Sequence, residues 1–191
     1  MMPAGGAAAV YLDRDGVIIA NRDAYVRDWA DVAFLPGALA ALRRLARAPY
    51  RVVLVTNQSA VGRGLVPLAR AEAITARVAA AVRAAGGRVD GWYLCPHRPG
   101  EGCACRKPAP GLLLRAAAEL GLDPARSYLV GDALSDLAAA RAAGATGLLV
   151  LTGRGRAQAA LVAGGAGPAC PVLADLGAAV DWILARPARA A

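Results

Sequence analysis

The sequence predicts an α/β fold, a Rossmann-like parallel sheet with helices on both faces. Short apolar segments rich in Val, Leu and Tyr alternate with longer helical segments along the chain. Strand–helix alternation at this spacing is typical of a parallel sheet. The apolar segments are nearly continuous rather than alternating with polar residues, which indicates strands that are covered on both faces.

Five strands and four helices follow from these patterns. The strands are predicted at residues 8–12, 51–55, 91–94, 127–130 and 147–150. The helices are predicted at residues 37–48, 67–85, 110–120 and 134–143, and the last two end before a glycine, which is typical of helix C-termini. A weaker repeat of the pattern predicts a glycine-rich loop at residues 164–168, a short strand at residues 172–173 and a last helix over residues 175–185.

Length and composition restrict the class of protein. A chain of 191 residues can bury a core without disulfides, and no linker or repeat indicates a second domain, so we expect one domain over residues 1–191 with no large cap domain. Although 57% of the residues are hydrophobic, arginine or glycine interrupts every apolar run, and residues 1–9 lack the features of a secretory signal. We therefore expect a cytoplasmic monomer with no membrane partner.

The net charge of +8 allows two interpretations. A strongly basic protein can bind nucleic acid, but here the arginines are scattered at helical spacing rather than clustered. We therefore favour a solvated surface over a nucleic-acid interface, and attraction of small anions fits either interpretation. All but one of the 22 Lys and Arg residues are arginine; the exception is Lys107, and His97 is the only histidine.

Two carboxylates follow the first predicted strand. Asp13 and Asp15 stand two residues apart at the carboxyl end of the strand, where ligands bind in open parallel sheets. A solvated turn is one interpretation of this pair. The other is a nucleophile and an acid–base group that share a Mg²⁺ ion, because Mg²⁺ prefers oxygen ligands.

The second predicted strand ends in four small polar residues in succession, Thr56, Asn57, Gln58 and Ser59. These residues could cap the next helix, or their hydroxyl, amide and N–H groups could hold a phosphate. Arg63, shortly after them, is a further candidate contact for an anion.

The third predicted strand ends in a cluster of metal-ligand residues. Cys95, His97, Cys103 and Cys105 lie within eleven residues, spaced as Cys-x-His and Cys-x-Cys. Three thiolates and one imidazole fit a tetrahedral Zn²⁺ with no open position, so residues 95–105 are predicted to form a structural zinc loop. A disulfide framework fits the spacing poorly because Cys170 is far away, and we expect Cys170 to be a buried or free thiol.

Lys107 and two more aspartates complete the candidate site. Lys107 stands two residues after the last predicted zinc ligand, where a compact ammonium could fit beside a phosphoryl oxygen better than a guanidinium. Asp132 follows the fourth strand, and Asp136 comes four residues later. Both could stabilise a helix N-terminus, but Asp132 also offers a third carboxylate to a Mg²⁺ held by Asp13.

In this order, the motifs resemble those of the haloacid dehalogenase-like phosphotransferase superfamily. The zinc-ligand pairs that run into Arg106-Lys107-Pro108 narrow the resemblance to the histidinol-phosphatase-like subgroup and, within it, to the heptose 1,7-bisphosphate 7-phosphatases. The resemblance covers roughly residues 8–155 and differs at Ala133, where some heptose phosphatases have a lysine. It implies a phosphatase that acts on a small soluble sugar phosphate.

The resemblance also implies a role for each motif residue. Asp13 would be the nucleophile and Asp15 the acid–base group, with Mg²⁺ held by Asp13, Asp15 and Asp132. The phosphoryl group would be held by Thr56, Asn57 and Lys107, with Asp136 supporting the lysine. The other substrate contacts would be Asp23, Tyr25, Gln58, Ser59, Arg63 and Arg106.

Two other functions remain open from the sequence. The same chemistry could act on histidinol phosphate or on a nucleic-acid 3′-phosphate, although no groove of mixed aromatic and basic residues is visible. Alternatively, the chain could be a zinc-stabilised binding module without catalysis. That hypothesis leaves Lys107 and the three aspartates at strand ends unexplained.

Overall fold

The structure is a computed structural model that describes residues 6–186. The strands are β1 (Ala9–Leu12), β2 (Arg51–Asn57), β3 (Gly91–Cys95), β4 (Tyr128–Gly131), β5 (Thr146–Val150) and β6 (Val172–Leu173). They form one parallel sheet in the order β3-β2-β1-β4-β5-β6. The predicted parallel sheet is confirmed, including its short sixth strand.

Within the described range, seven α-helices connect or follow these strands. They are α1 (Ala38–Leu45), α2 (Ser59–Gly62), α3 (Leu68–Ala84), α4 (Gly111–Leu120), α5 (Leu134–Ala143), α6 (Gly155–Ala163) and α7 (Leu176–Leu184). Two 3₁₀ turns, Trp29–Asp31 and Pro124–Arg126, lie in connecting segments.

The helices differ from the sequence prediction in two ways: the first predicted helix is shorter in the structure, and helices α2 and α6 are not predicted. The helix predicted over residues 37–48 ends at Leu45, because the residue before Pro49 disfavours helical backbone angles. Helix α6 is not predicted at all. It begins at a glycine, and Arg154 before it makes no side-chain cap, so the usual signals of a helix start are missing.

Apolar side chains cover both faces of the sheet, as predicted. On one face, α1, α3 and α7 pack against strand residues that include Val10, Leu54 and Val130. On the other face, α4 and α5 pack against the sequence neighbours of those residues, Tyr11, Val53 and Leu129. Because successive strand residues point to opposite faces, strands that are covered on both sides must be apolar throughout.

The order of the strands determines where a ligand can bind. Strand β1 pairs with β2 on one side and with β4 on the other. The strand order therefore changes direction at β1. Open parallel sheets bind ligands in the crevice at the carboxyl ends of such strands. Asp13 directly follows β1, and Asp132 directly follows β4.

The connections at this edge are modest in length. The longest described ones are residues 13–37, between β1 and α1, and residues 96–110, between β3 and α4. Neither is long enough to form a large cap domain. Among residues 6–186, no helix is long and apolar enough to cross a membrane.

Candidate active site

A polar cleft of about 420 Å³ lies at the carboxyl edge of the sheet. Most of the predicted site residues line it: Asp13, Asp15, Asp23, Tyr25, Asn57, Gln58, Ser59, Arg63, Arg106 and Lys107. Three others do not line the cleft because they are buried beneath it: Thr56, Asp132 and Asp136. The cleft also has lining residues that the sequence interpretation did not name as site residues: Asn21, Arg22, Val26, Pro99, Ala133, Ser135 and Arg154.

Lys107 is the buried cation of the site. Its Nζ atom lies 3.1 Å from Asp13 Oδ1 and 2.6 Å from Asp136 Oδ1, and it donates to the Val55 carbonyl oxygen at 2.8 Å. Burial alone would lower the pKa of Lys107, but the two carboxylates raise it above its usual value. The lysine therefore remains an ammonium ion, positioned against the carboxylate of Asp13.

The side-chain amide of Asn57 holds the main chain of Lys107. Asn57 Oδ1 accepts from the Lys107 N–H at 3.1 Å, and its Nδ2 donates to the Lys107 carbonyl oxygen at 3.0 Å. This pair of hydrogen bonds joins the end of β2 to the segment that follows the Cys/His cluster. The position of Lys107 thus depends on two connections that lie 50 residues apart in sequence.

Asp13 lies at the floor of the cleft with only 8% of its surface exposed. Its pKa is raised to about 6, chiefly by burial and also by the nearby carboxylates of Asp136 and Asp15, while Lys107 acts to lower it. The Arg14 N–H donates to Asp13 Oδ1 at 2.7 Å, and this hydrogen bond also favours the ionised form. A carboxylate oriented by a lysine and a main-chain N–H can act as a nucleophile.

Asp132 is fully buried, and its two oxygen atoms have different surroundings. Oδ2 accepts from Asn21 Nδ2 at 2.7 Å and from the Arg154 N–H at 2.9 Å. Oδ1 is buried and has no hydrogen-bond partner in the described part of the chain. A buried carboxylate oxygen without a partner is unfavourable unless a cation or proton occupies the site.

The carboxylates together fit a divalent cation. Asp13, Asp132 and Asp136 each offer an oxygen atom, and these atoms lie within 4.8 Å of one another. Asp136 is already paired with Lys107, whereas Oδ1 of Asp132 has no partner. An all-oxygen donor set with an excess of negative charge is what Mg²⁺ prefers, so the residues present fit this ion.

A turn after β5 completes this part of the site, and the sequence interpretation missed it. The Thr152 hydroxyl donates to the Gly16 carbonyl oxygen at 2.6 Å, and the next two residues are Gly153 and Arg154. Gly153 has a φ of +57°, and a Cβ atom there would lie 2.3 Å from Asp132 Oδ2. The turn could have been found by inspecting the end of β5 as the other strand ends were inspected.

The polar residues at the end of β2 and directly after it face in different directions. Thr56 is fully buried, and its hydroxyl accepts from Gln58 Nε2 at 2.8 Å. The same Nε2 atom donates to Asp15 Oδ2 at 2.7 Å. In this structure Thr56 and Gln58 thus bind neighbouring protein groups, and Gln58 lines the cleft together with Ser59 and Arg63.

The Cys/His cluster lies next to the cleft. Its four ligand atoms lie within 4.8 Å of one another: Cys95 Sγ lies 3.2 Å from Cys105 Sγ and 3.8 Å from Cys103 Sγ, and His97 Nδ1 lies 3.2 Å from Cys105 Sγ. Tetrahedral Zn²⁺ with bonds of about 2.3 Å to sulfur would separate its ligands by about 3.8 Å, so the four residues fit this ion. Cys170 lies outside the cluster as a half-buried free thiol.

The cluster is connected to the cleft through Arg106. Its Nη1 atom donates to the His97 carbonyl oxygen at 2.8 Å, and its side chain lines the cleft. Lys107 is the next residue, so the loop that carries the cluster also sets the main chain of the buried cation. The conformation of the loop over residues 95–105 therefore affects the position of Lys107 in the site.

Sequence comparisons with known proteins all point to one family of hydrolases. The chain matches a family model described as haloacid dehalogenase-like hydrolase over residues 7–141, and one described as HAD-hydrolase-like over residues 104–179. The D-glycero-beta-D-manno-heptose-1,7-bisphosphate 7-phosphatase of Bordetella bronchiseptica is 43% identical over 175 residues, which cover 92% of this chain and 97% of that protein. The protein of the same name from Pseudomonas putida is 47% identical over 147 residues, covering 75% and 82%.

Comparison with solved structures points to the same family. The D,D-heptose 1,7-bisphosphate phosphatase of B. bronchiseptica, crystallised with magnesium and phosphate, matches with a TM-score of 0.85 and 42% identity, covering 93% of this chain and 98% of that one. The corresponding phosphatase of Burkholderia thailandensis matches with a TM-score of 0.71 and 36% identity, covering 94% and 99%. The chain therefore belongs to the haloacid dehalogenase-like hydrolases, within the group of phosphatases that includes the heptose bisphosphate phosphatases.

Proposed function

We propose that this chain is a Mg²⁺-dependent phosphatase that removes the 7-phosphate of D-glycero-D-manno-heptose 1,7-bisphosphate. The observation that carries the chemistry is the contact of Asp13 with the buried Lys107 ammonium, beside an unpartnered oxygen of Asp132. The substrate follows from the relatives, whose names specify this bisphosphate and whose chains are covered almost completely by this one.

The reaction proceeds in two steps. In the first, an oxygen of Asp13 attacks phosphorus, the bond to the sugar oxygen breaks, and Asp15 gives a proton to that oxygen. This leaves an aspartyl-phosphate on Asp13. In the second, Asp15 takes a proton from a water molecule, the water attacks the same phosphorus, and the Asp13 carboxylate leaves as inorganic phosphate is formed.

Lys107 balances charge throughout both steps. Its ammonium contacts the carboxylate that attacks, so it also lies beside the phosphoryl group that this carboxylate receives. Asn57 holds the lysine main chain, and Asp136 holds the ammonium from the opposite side. Ser59 and Arg63 contribute further polar contacts at the cleft surface.

Mg²⁺ would be held by the carboxylates of Asp13 and Asp132 and by the main-chain oxygen of Asp15. When bound, it offsets the repulsion between the anionic nucleophile and the phosphate dianion. The protein prepares this site by occupying Oδ2 of Asp132 with two N–H donors and leaving Oδ1 without a partner. Zn²⁺ would be structural, held by Cys95, His97, Cys103 and Cys105.

The cleft surface suits a substrate with more than one anionic group. Four arginines line it, namely Arg22, Arg63, Arg106 and Arg154, with Asp23 as the acidic residue of the outer segment. We propose that the part of the sugar beyond the 7-phosphate lies against Arg106 and the segment that contains Asp23 and Tyr25. A cytoplasmic location is consistent with the zinc site, because its thiols must remain reduced.

The replacement Asp13→Asn tests this proposal. It keeps the size of the side chain but removes the nucleophilic carboxylate, and we expect phosphate release from the bisphosphate to fall by at least about 10³-fold. Asp181→Asn is the matched control, since Asp181 is an exposed residue on α7 whose carboxylate binds Arg44. Full activity in Asp13→Asn, with the zinc content and melting temperature of the wild type, would refute the mechanism.

A further inference from the structure

Arg14 separates the two catalytic aspartates in sequence, and its side chain has no part in the chemistry described above. It is nevertheless one of the largest fully buried side chains of the described chain, with no exposed surface. Burying a guanidinium ion is unfavourable unless its hydrogen bonds are satisfied and its charge is paired. Its partners therefore indicate what its burial achieves.

The guanidinium of Arg14 contacts both oxygen atoms of Asp15. Its Nη2 atom lies 3.2 Å from Oδ1 and 3.0 Å from Oδ2, and its Nε atom lies 3.2 Å from Oδ2. A guanidinium that donates to both oxygens of a carboxylate fixes the plane of that carboxylate as well as its position. Asp15 keeps 18% of its side chain exposed and lines the cleft, so the fixed carboxylate still faces the substrate.

The third nitrogen of Arg14 is held from helix α3. Nη1 donates to the Thr75 hydroxyl oxygen at 2.8 Å, and that hydroxyl donates to the Ala71 carbonyl oxygen at 2.9 Å. A hydroxyl has a single proton to donate, so the bond to Ala71 leaves a lone pair directed to Arg14. Thr75 is fully buried, and water cannot replace it easily.

The main chain of Arg14 serves the other aspartate. Its N–H donates to Asp13 Oδ1 at 2.7 Å, so a single residue contacts the carboxylates of both Asp13 and Asp15. Gln58 adds a further donor to Asp15 Oδ2 at 2.7 Å. Thr75, Arg14 and Asp15 thus form a continuous hydrogen-bonded chain from α3 to the cleft.

We propose that Arg14 and Thr75 are positioning residues that hold the acid–base carboxylate of Asp15 towards the leaving oxygen of the substrate. This inference rests on the proposed function, in which Asp15 gives a proton to the sugar oxygen. It differs from a purely structural role, in which the Arg14–Thr75 hydrogen bond would only attach the loop after β1 to α3. A structural pair would support the fold, whereas a positioning pair affects only the steps that need Asp15.

The test replaces Thr75 and compares two substrates. Thr75→Val keeps the shape of the side chain but removes the hydroxyl. For heptose 1,7-bisphosphate, whose leaving oxygen needs a proton, we expect kcat to fall by about 10-fold, a part of the roughly 10²–10⁴-fold that acid–base catalysis provides. The first-turnover release of p-nitrophenolate from p-nitrophenyl phosphate should change by less than about 2-fold, because that leaving group departs as a stable anion.

Three variants make the comparison specific. Thr75→Ser retains the hydroxyl and should restore kcat for the sugar phosphate. Thr146→Val makes the same chemical change at the start of β5, at the edge of the sheet opposite the cleft, and should have no effect. Arg14→Lys keeps the charge but replaces the planar fork of three nitrogens with a single nitrogen, which does not reproduce the contacts to both Asp15 oxygens and to Thr75, so it should reproduce the loss of kcat with an unchanged KM.

Failure of this inference can be distinguished from failure of the proposed function. If the wild type hydrolyses another alkyl phosphate rather than the heptose ester, the substrate assignment fails and the same comparison is made with that ester. Crystal structures of the wild type and of Thr75→Val give a readout that does not depend on activity. An Asp15 carboxylate in the same orientation in both, or equal losses for both substrates, would overturn the positioning role.

Discussion

At the scale of single residues, the surroundings of Lys107 explain why a lysine stands here in a sequence whose other 21 Lys or Arg positions are all arginine. Its ammonium has three N–H donors and three oxygen partners, which belong to Asp13, Asp136 and Val55. The side chain is 1% exposed, so these partners surround it closely. A planar guanidinium is larger and presents its donors in a fixed fork, which does not fit three converging oxygens.

Lys107→Arg is therefore expected to be severe although it conserves charge. We expect kcat to fall by about 10²–10³-fold, the usual effect of removing a donor that stabilises charge in the transition state. Arg115→Lys is the matched control, because Arg115 is exposed on α4, where it pairs with Glu119 and lies over the ring of Tyr93. Steady-state kinetics of the two variants measure the difference, and wild-type kcat in Lys107→Arg would contradict this role.

Residue rarity made part of the site predictable. Lys107 and His97 are single examples of their types in this sequence, and the structure brings both into the region of the cleft. The directions of Thr56 and Gln58 were not predictable, because a run of polar residues does not show which side chains face inward. Asn21 was also missed as a partner of Asp132, from which it is separated by 111 positions.

At the scale of structural elements, the turn after β5 joins the two segments that are proposed to hold Mg²⁺. Thr152 donates to the carbonyl oxygen of Gly16, and the Arg154 N–H donates to Asp132. Gly153 lies between them, where a Cβ atom would be 2.6 Å from Gly16 Cα. This close approach means that the turn sets the distance between the loops after β1 and β4.

Gly153→Ala should weaken Mg²⁺ binding. The new methyl group would push against Asp132 Oδ2, and we expect the Mg²⁺ dissociation constant to rise by about 10–100-fold, as for other changes to groups that orient metal ligands. Gly144→Ala is the control, because Gly144 also has positive φ (+83°) but open space around its Cβ position. Both variants carry about 1–2 kcal/mol of backbone strain.

Calorimetric titration with Mg²⁺ separates the effect on metal binding from the effect of backbone strain, without measuring turnover. Equal affinities in Gly153→Ala and Gly144→Ala would show that the turn does not act on the metal site. A reduced melting temperature in both variants, with weaker Mg²⁺ binding in Gly153→Ala alone, is the expected result.

The loop over residues 95–105 is the second element with its own prediction. Wild-type protein should contain about one Zn²⁺ per chain, and Cys105→Ser should lose it, because a structural zinc site needs all four ligands. Cys170→Ser should retain the metal, since Cys170 lies outside the cluster. Elemental analysis of the purified proteins decides this, and zinc retained in Cys105→Ser at the wild-type level would refute the assignment.

At the scale of the whole molecule, the strand order brings the separate motifs together. The motifs follow β1, β2, β3 and β4, and all four strands end at the same edge of the sheet. The parallel sheet was predictable because strands covered on both faces have continuous apolar sequences. The pairing of β1 with β4 was not predictable from local patterns, since it joins segments more than 100 residues apart.

The overall charge acquires a more specific meaning from the structure. A net charge of +8 is compatible with binding nucleic acid, and four arginines line the cleft. These arginines surround a site whose buried Asp13–Lys107 ion pair suits one phosphoryl group. They can attract a small substrate that carries two phosphates, and they can equally attract a nucleic-acid polymer. The substrate preference distinguishes these alternatives.

The most direct test measures kcat/KM for four phosphate esters with the Mg²⁺-loaded enzyme. These are heptose 1,7-bisphosphate, fructose 1,6-bisphosphate, histidinol phosphate and an oligonucleotide with a 3′-phosphate. We predict a preference of at least about 10-fold for the heptose ester, with ³¹P NMR showing loss of the 7-phosphate and retention of the 1-phosphate. A higher kcat/KM for any of the other three esters, or loss of the 1-phosphate instead, would contradict the proposed function.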